Sequence, residues 1–488
     1  MEFSNIKNMN EVVTYIAPAN PAGRQLMDKL SSQGIKVVGL VDNIKVGESI
    51  FHPSQLDSSS EVIVANGSFQ SVVAEQLIKN GLNIKQVKTL SEKGNLSHYS
   101  RSVKVKFRTV MTDVFISFIT LLRRIPYRHR RVYYAESFVD ANVLVTYIND
   151  IENHKKSSNA RPVLVVDNLK SVPKELNAIS IANQPITAFF HMLFARSFVI
   201  DHEYQSLIFS ALRSSVPVIQ LWHGLPYKHL SGNSHYPNIN DACFISSSNW
   251  FNKEIFSKIF NSKRFLGVGY PRNDVFFQTR EQRCWINSEP LSVLENTISS
   301  TGQIIIYAPT YRDSQDNNYP LNLAEINDWC IQHKCSFILK YHPFIYRTVT
   351  ENMGISATDQ LLALPEFRHI YIFPNGKNVY PWLAEATMLI TDYSSIAFDF
   401  MLSGKPILYY QFDKQDYETI RGKPLVGDDV FIKGKVVTHF DELFFAMENV
   451  LHTESDFVID SQKSLVNDQF QACTESILMQ LDVIEAER

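Results

Sequence analysis

The sequence predicts an α/β protein: a pair of facing Rossmann-like domains preceded by a small extra Rossmann-like domain at the amino terminus. Three observations predict it. Short apolar runs rich in β-branched residues alternate with helical stretches over residues 11–95, the rhythm of a βαβ fold. The same rhythm returns from about 132 and again after 300, with a polar stretch at 278–300 between the two sets. Finally, 488 residues exceed one ordinary domain and fit about three at roughly 150 residues each.

The first set reads VVTYIA, a helix through RQLMDKLSS, IKVVGLVD, EVIVAN and a helix through VVAEQLIKN. The turn after its first strand, APANPAGRQL, keeps only Gly23 where a dinucleotide-binding turn needs three glycines, so this domain (1–95) is expected to be structural. Residues 96–131 are expected to form a basic amphipathic linker helix. Phe107, Met111, Val114, Phe118, Leu121 and Leu122 recur at helical spacing between basic clusters. Such a helix either lies on an anionic membrane surface, its arginines on phosphates, or packs its apolar face into a core. The second set contains RPVLVVDN, the apolar run ITAFFHMLFARSFVID, a helix through SLIFSALRSS, VPVIQLWHG, DACFISSS and FLGVGYPRND. The third contains QIIIYAPTYRD, CSFILKYHPF, HIYIFPN, ATMLITDYSS and KPILYYQFD. Uninterrupted apolar strands of this kind belong to buried parallel sheets. The expected divisions are 132–285 and 286–460 for the two facing domains and 461–488 for a carboxyl-terminal helix.

Composition narrows the function. The chain is 45% hydrophobic and 20% charged with net charge −3, so nucleic acid is not an expected partner. Cys243, Cys284, Cys330, Cys335 and Cys473 form no CxxC pair, which fits a reducing cytoplasm better than a disulfide framework. Cys330, His333 and Cys335 lack the second half of a zinc site, and neither metal nor cofactor is expected. The terminus MEFSNIKNMNEVV has no signal-peptide pattern, and no run of about 20 apolar residues occurs, so neither export by that route nor a membrane span is expected.

Four strands end in chemically rich clusters: WHGLPYK, APTYRD, KYHP and ITDYSS. Ligands of open parallel sheets collect at such ends. In the last cluster Ser394 or Ser395 caps a helix, where free amides and the dipole suit phosphate; ordinary capping explains the same residues. His342 and Arg312 together would neutralise a diphosphate, arginine offering a bidentate fork.

Taken in order, Trp222-His223-Gly224…Pro226…Lys228, Gly269-Tyr270-Pro271-Arg272-Asn273-Asp274, Tyr307-Ala308-Pro309-Thr310…Arg312-Asp313, His342-Pro343 and Thr391-Asp392-Tyr393-Ser394-Ser395…Phe398-Asp399 resemble the CDP-glycerol:poly(glycerophosphate) glycerophosphotransferases. These are the teichoic acid primases and polymerases and related capsule enzymes. Asp413…Tyr417…Arg421-Gly422 follows the same spacing, and the resemblance covers about 132–440. Leu225 stands where the family usually has threonine.

The resemblance implies a GT-B fold. It also implies transfer of an alditol phosphate (glycerol or ribitol phosphate) from a CDP-alditol to a hydroxyl of a polyol-phosphate, glycan or lipid-linked acceptor, with release of CMP. His223 would be the base. His342 would be a second catalytic group, also binding the donor with Thr310, Arg312, Asp392, Ser394, Ser395 and Asp399. Lys228, Arg272 and Asn273 would receive the acceptor. The enzyme would work at the inner face of a bacterial cell membrane. A nucleotide-sugar glycosyltransferase and a non-catalytic nucleotide-binding scaffold are the competing readings.

Overall fold

A computed structural model describes residues 13–487 apart from 20, 43–48, 66–69, 92–94, 101–113, 116, 120, 124, 126–129, 136–140, 157–160, 170–171, 204–206, 214, 228–240, 313–318, 355–358, 422, 426, 428–431, 433 and 453–464. The described residues fall into two compact units, one before residue 118 and one from 118 onward.

The first unit is a six-stranded sheet. Its strands are β1 (Thr14–Ala17), β2 (Val37–Val41), β3 (Ile50–Phe51), β4 (Glu61–Val64), β5 (Val87–Leu90) and β6 (Leu96–His98), in the order β3-β2-β1-β4-β5-β6. All neighbours are parallel except β5 and β6. Helices α1 (Pro21–Ser32) and α2 (Gln70–Lys79) supply the crossovers. The amide of Ala19, in the turn after β1, donates to Asp42 Oδ2 at 3.1 Å. The acidic residue at the end of β2 therefore helps close this turn, in keeping with the missing glycine pattern. One boundary moves: residues 96–98 are the sheet's antiparallel edge and Tyr99 is buried in its core, so the unit runs past residue 95.

The second unit holds two seven-stranded sheets. The first comprises β7 (Arg130–Ala135), β8 (Val163–Val166), β9 (Ile179–Ser180), β10 (Ala195–Ile200), β11 (Val218–Gln220), β12 (Cys243–Ser246) and β13 (Phe265–Gly267), all parallel, in the order β13-β12-β11-β10-β7-β8-β9. VLVV, VIQ and CFIS are buried at every position, as strands covered on both faces must be. Helices α3 (Ala141–Lys156), α4 (Pro185–Leu193) and α5 (Leu207–Leu212) connect them. The apolar run 186–201 thus splits into α4 and β10, hydropathy alone not distinguishing a buried helix from a buried strand.

The second sheet has β14 (Gln303–Tyr307), β15 (Cys335–Leu339), β16 (Leu362–Leu364), β17 (Phe367–Ile372), β18 (Met388–Thr391), β19 (Ile407–Tyr410) and β20 (Lys435–Val437), in the order β16-β17-β15-β14-β18-β19-β20. Only β16 runs antiparallel to its neighbour. Its helices are α6 (Leu291–Thr301), α7 (Leu323–His333), α8 (Pro343–Asn352), α9 (Tyr380–Leu383), α10 (Ile396–Phe400), α11 (Lys414–Arg421) and α12 (Phe440–His452).

The last helix, α13 (Thr474–Ala486), returns to the first sheet. Its Glu485 and Asp482 carboxylates take the Arg131 guanidinium at 2.9 and 2.7 Å, beside Asp150 at 2.9 Å. Asp274 accepts the amides of Cys473 and Thr474 at 2.7 and 3.1 Å.

These contacts correct part of the linker expectation. Much of 101–131 lies outside the described residues, but Arg131 is buried in ion pairs at the start of β7. Arg123 is buried as well, donating to the carbonyls of Leu193, Ala195 and Ser215 at 2.7 to 3.0 Å. Neither is available to lipid phosphates. Phe118, Leu121 and Ile125 in that stretch are exposed, as are Ile186 and Phe190 on α4. Among the described residues no helix is long and apolar enough to cross a membrane.

Candidate active site

β11 ends in a backbone reversal. Trp222 takes φ 51° and Gly224 φ 132°. The strained tryptophan is held from both sides, its amide on Gln220 Oε1 at 3.0 Å and its carbonyl on Asn142 Nδ2 at 2.7 Å. Gly224 has no substitute, because a Cβ there would stand 2.6 Å from Arg272 Nη2 in a backbone conformation L side chains avoid.

The reversal presents His223. Its Nδ1 lies 3.2 Å from the Asp201 carbonyl; a carbonyl only accepts, so Nδ1 carries the proton and Nε2 keeps its lone pair. The ring packs against Trp222 (centroids 4.2 Å apart) and stacks on His202 (4.4 Å, 9° between planes). Burial first, then the charges of His202 and Arg272, push its pKa down to about 4. His223 is therefore a neutral imidazole at pH 7 with Nε2 ready to take a proton.

Behind the loop sits a clamp between the two sheets' domains. Asp399 on α10 accepts from Arg272 Nη2 (2.7 Å), Asn273 Nδ2 (2.8 Å) and the Tyr380 hydroxyl (2.7 Å). Arg272 Nη1 donates to the His223 carbonyl at 2.7 Å, and its guanidinium covers the rings of Tyr270 and Tyr380. Arg272, Asn273 and Asp399 are at most 5% exposed. The sequence reading placed Arg272 and Asn273 on the acceptor and Asp399 on the donor. The structure pairs the three with one another, Arg272 Nη2 and Asn273 Nδ2 both donating to Asp399.

Arg312, expected on the donor, is likewise held by other side chains. Its guanidinium donates to both Asp413 oxygens (2.6 and 2.9 Å) and the Thr310 carbonyl (2.7 Å), pairs with Asp392 at 2.8 Å, and sits 5.1 to 5.8 Å from the ring centres of Tyr319, Tyr393, Phe412 and Tyr417. Asp392 also accepts the amides of Thr310 and Tyr393 at 2.8 and 2.6 Å. Arg312 and Asp392 thus shape the loops after β14 and β18 from within.

Other groups gather at the strand ends. Ser394 and Ser395 are half-buried, and Ser395 makes no side-chain cap on α10. Its Oγ lies only 3.6 Å from where a Gly224 Cβ would stand, which brings the serine cluster of one domain against the WHG loop of the other. The Thr310 hydroxyl is buried without a hydrogen-bond partner among the described residues. His342 is exposed at the start of α8, 5.6 Å from the Tyr311 ring. Lys228 lies outside the described residues.

Five contributing residues stand outside the motifs' expected roles. Asn142 and Tyr380 carried no local signal. Asp201-His202 ends β10 as the recognised motifs end their strands, so the strand-end rule would have found it. Lys340 lies inside the KYHP cluster: its ammonium donates to the Tyr341 carbonyl at 3.1 Å, no carboxylate pairs with it among the described residues, and burial lowers its pKa to about 8. No group of three His, Cys, Asp or Glu side chains among the described residues is placed to hold a metal ion.

Comparison with known proteins places this geometry. The sequence profile of the CDP-Glycerol:Poly(glycerophosphate) glycerophosphotransferase family matches residues 118–474. The teichoic acid ribitol-phosphate polymerase TarK of Staphylococcus aureus is 25% identical over 280 residues, 53% of this chain and 51% of that protein. A teichoic acid glycerol-phosphate primase of Bacillus spizizenii is 27% identical over 290 residues, 53% of this chain and 69% of that one. The chain thus spans about half the length of the ribitol-phosphate polymerases it matches. The wall teichoic acid polymerase TagF shares the fold with a TM-score of 0.58 at 17% identity, covering 80% of this chain and 98% of that one. That polymerase and the two facing parallel sheets identify the architecture as GT-B-like. Because the matched region takes in most of the chain and all four strand-end clusters, the chain belongs to the CDP-glycerol:poly(glycerophosphate) glycerophosphotransferase family.

Proposed function

We propose that the chain transfers glycerol phosphate, or a related alditol phosphate such as ribitol phosphate, from a CDP-alditol to a hydroxyl of a growing or lipid-linked acceptor in the synthesis of a teichoic acid-like surface polymer. The observation that carries this reading is the neutral His223, its Nε2 unprotonated, in the loop whose next residue, Gly224, lies beside Ser395 of the other domain. In the proposed reaction Nε2 takes the proton of the acceptor hydroxyl as its oxygen bonds to the β-phosphorus. The bond from that phosphorus to the bridging oxygen breaks, and CMP leaves with the electron pair. Charge on the transferred and departing phosphoryl oxygens would be met by Ser394, Ser395, the amides at the start of α10, Thr310, His342 and Lys340. The relatives named for glycerol-phosphate and ribitol-phosphate polymerisation support the substrate class.

The exposed Phe118, Leu121, Ile125, Ile186 and Phe190 support peripheral attachment at the inner face of a bacterial membrane, where a lipid-linked acceptor would be met. Attachment would rest on apolar burial more than on arginine, since Arg123 and Arg131 are already engaged.

Incubation with CDP-glycerol or CDP-ribitol and a polyol-phosphate acceptor tests the reading. CMP release with mass gain of the acceptor, lost in His223→Ala, is expected. Turnover of a nucleotide sugar with silence toward both CDP-alditols refutes it.

A further inference from the structure

The loop after β10 places a second histidine under the first. Asp201, fully buried, holds both: its backbone carbonyl accepts from His223 Nδ1 at 3.2 Å, and its carboxylate Oδ1 lies 2.8 Å from His202 Nδ1. The other carboxylate oxygen faces the Val143 amide in the first turn of α3 at 3.4 Å, where a helix dipole favours an anion. The imidazoles lie almost parallel with centroids 4.4 Å apart. A carboxylate accepts only, so His202 Nδ1 is the protonated nitrogen and a second proton on this ring would go to Nε2.

Two stacked imidazoles at this spacing cannot both carry charge cheaply. Their surroundings break the tie. His202 has the carboxylate; His223 has a carbonyl on one nitrogen and Arg272 nearby, whose own charge is held by Asp399. Among the described residues, the charged and titratable groups facing His223 are thus Asp201 and His202 from the end of β10 and Arg272 from the turn at Pro271–Phe276, with Asp399 of α10 behind Arg272.

We infer that His202, held by Asp201, is a positioning residue for the base: its imidazole lies flat against His223 and claims the positive charge the pair can carry, so that His223 remains neutral with Nε2 available. The inference rests on His223 being the base of the proposed transfer. Through the cycle, the acceptor proton moves to His223 Nε2 as the new P–O bond forms, and repulsion from His202 then drives it on to solvent as product leaves, restoring the neutral base.

The test is titration of His223, resolved by nuclear magnetic resonance of ¹³C-histidine-labelled protein and assigned with His223→Gln, in wild type, His202→Phe and His202→Gln. Phenylalanine keeps a flat ring and removes the charge; glutamine covers the case in which His202→Phe does not fold. The His223 midpoint is expected to rise by about one pH unit or more in either variant. The acid limb of CMP release should move the same way, with KM for the CDP-alditol unchanged. An unmoved midpoint in a folded variant overturns the inference. The titration needs no substrate, so a chain that turned over no CDP-alditol would defeat the transfer reaction and still leave the midpoint to decide the role of His202.

Discussion

Asp399→Asn is the sharpest probe of how the two domains make one site. The substitution keeps the shape of the side chain and removes its charge. In the native protein the carboxylate takes three donors at 2.7 to 2.8 Å, one of them Arg272, whose side chain is 6% exposed. The amide offers one acceptor oxygen and turns an NH₂ group toward donors. The guanidinium loses its counter-charge with no route to water. Removing one partner of such a buried pair costs about 3–5 kcal/mol. Because Arg272 Nη1 also holds the His223 carbonyl at 2.7 Å, a guanidinium that shifts takes the base with it, and displacement on the order of 1 Å costs roughly a hundredfold in rate. Urea unfolding followed by tryptophan fluorescence and kcat for CMP release measure the two effects. Both should fall, and Arg272→Met with Asp399→Leu should recover much of the stability without recovering the rate. An Asp399→Asn protein as stable as wild type, with only KM for the alditol raised, would show that Asp399 binds substrate and refute the clamp.

Three more outcomes follow from the same geometry. With His223 shifted from 6.5 to about 4 by burial, the folded protein binds fewer protons than the unfolded chain between those values. Stability from this group is complete above pH 6.5 and is lost progressively down to pH 4, by roughly 3 kcal/mol in all, and kcat/KM should show no histidine limb near pH 6.5; denaturant midpoints and a pH–rate profile check both. Lys340→Met should stabilise the ligand-free protein by about 1–3 kcal/mol at pH 7, since it removes an ammonium whose pKa burial lowers to about 8, while weakening CDP binding at least tenfold by calorimetry; unchanged CDP affinity would remove Lys340 from the donor site. Serine at Phe118, Leu121, Ile186 and Phe190 together should abolish sedimentation with anionic vesicles, and binding that survives would place membrane contact elsewhere.

Much of the fold was legible because buried parallel strands must be apolar throughout: VLVV, VIQ, CFIS and MLIT could be read directly. Where one apolar run spans a helix and a strand, as at 186–201, hydropathy could not divide it. In the site, strand-end position pointed to His223, Ser394 and Ser395, because that position follows from the strand itself. Roles were harder. A guanidinium or carboxylate reads alike in sequence whether it meets a ligand or another side chain, and Arg312, Arg272, Asn273 and Asp399 meet side chains.

By itself the sequence determined the α/β class, the polar clusters at the strand ends and the motif order that marks the family, since each depends on local pattern along the chain. Only the tertiary structure decided which polar groups remain for a substrate. That depends on partners far apart in sequence: Asp399 lies 127 residues from Arg272 and Asp413 lies 101 from Arg312. A buried charge is neutralised by whatever the fold brings within hydrogen-bonding distance, and local sequence does not specify that neighbour.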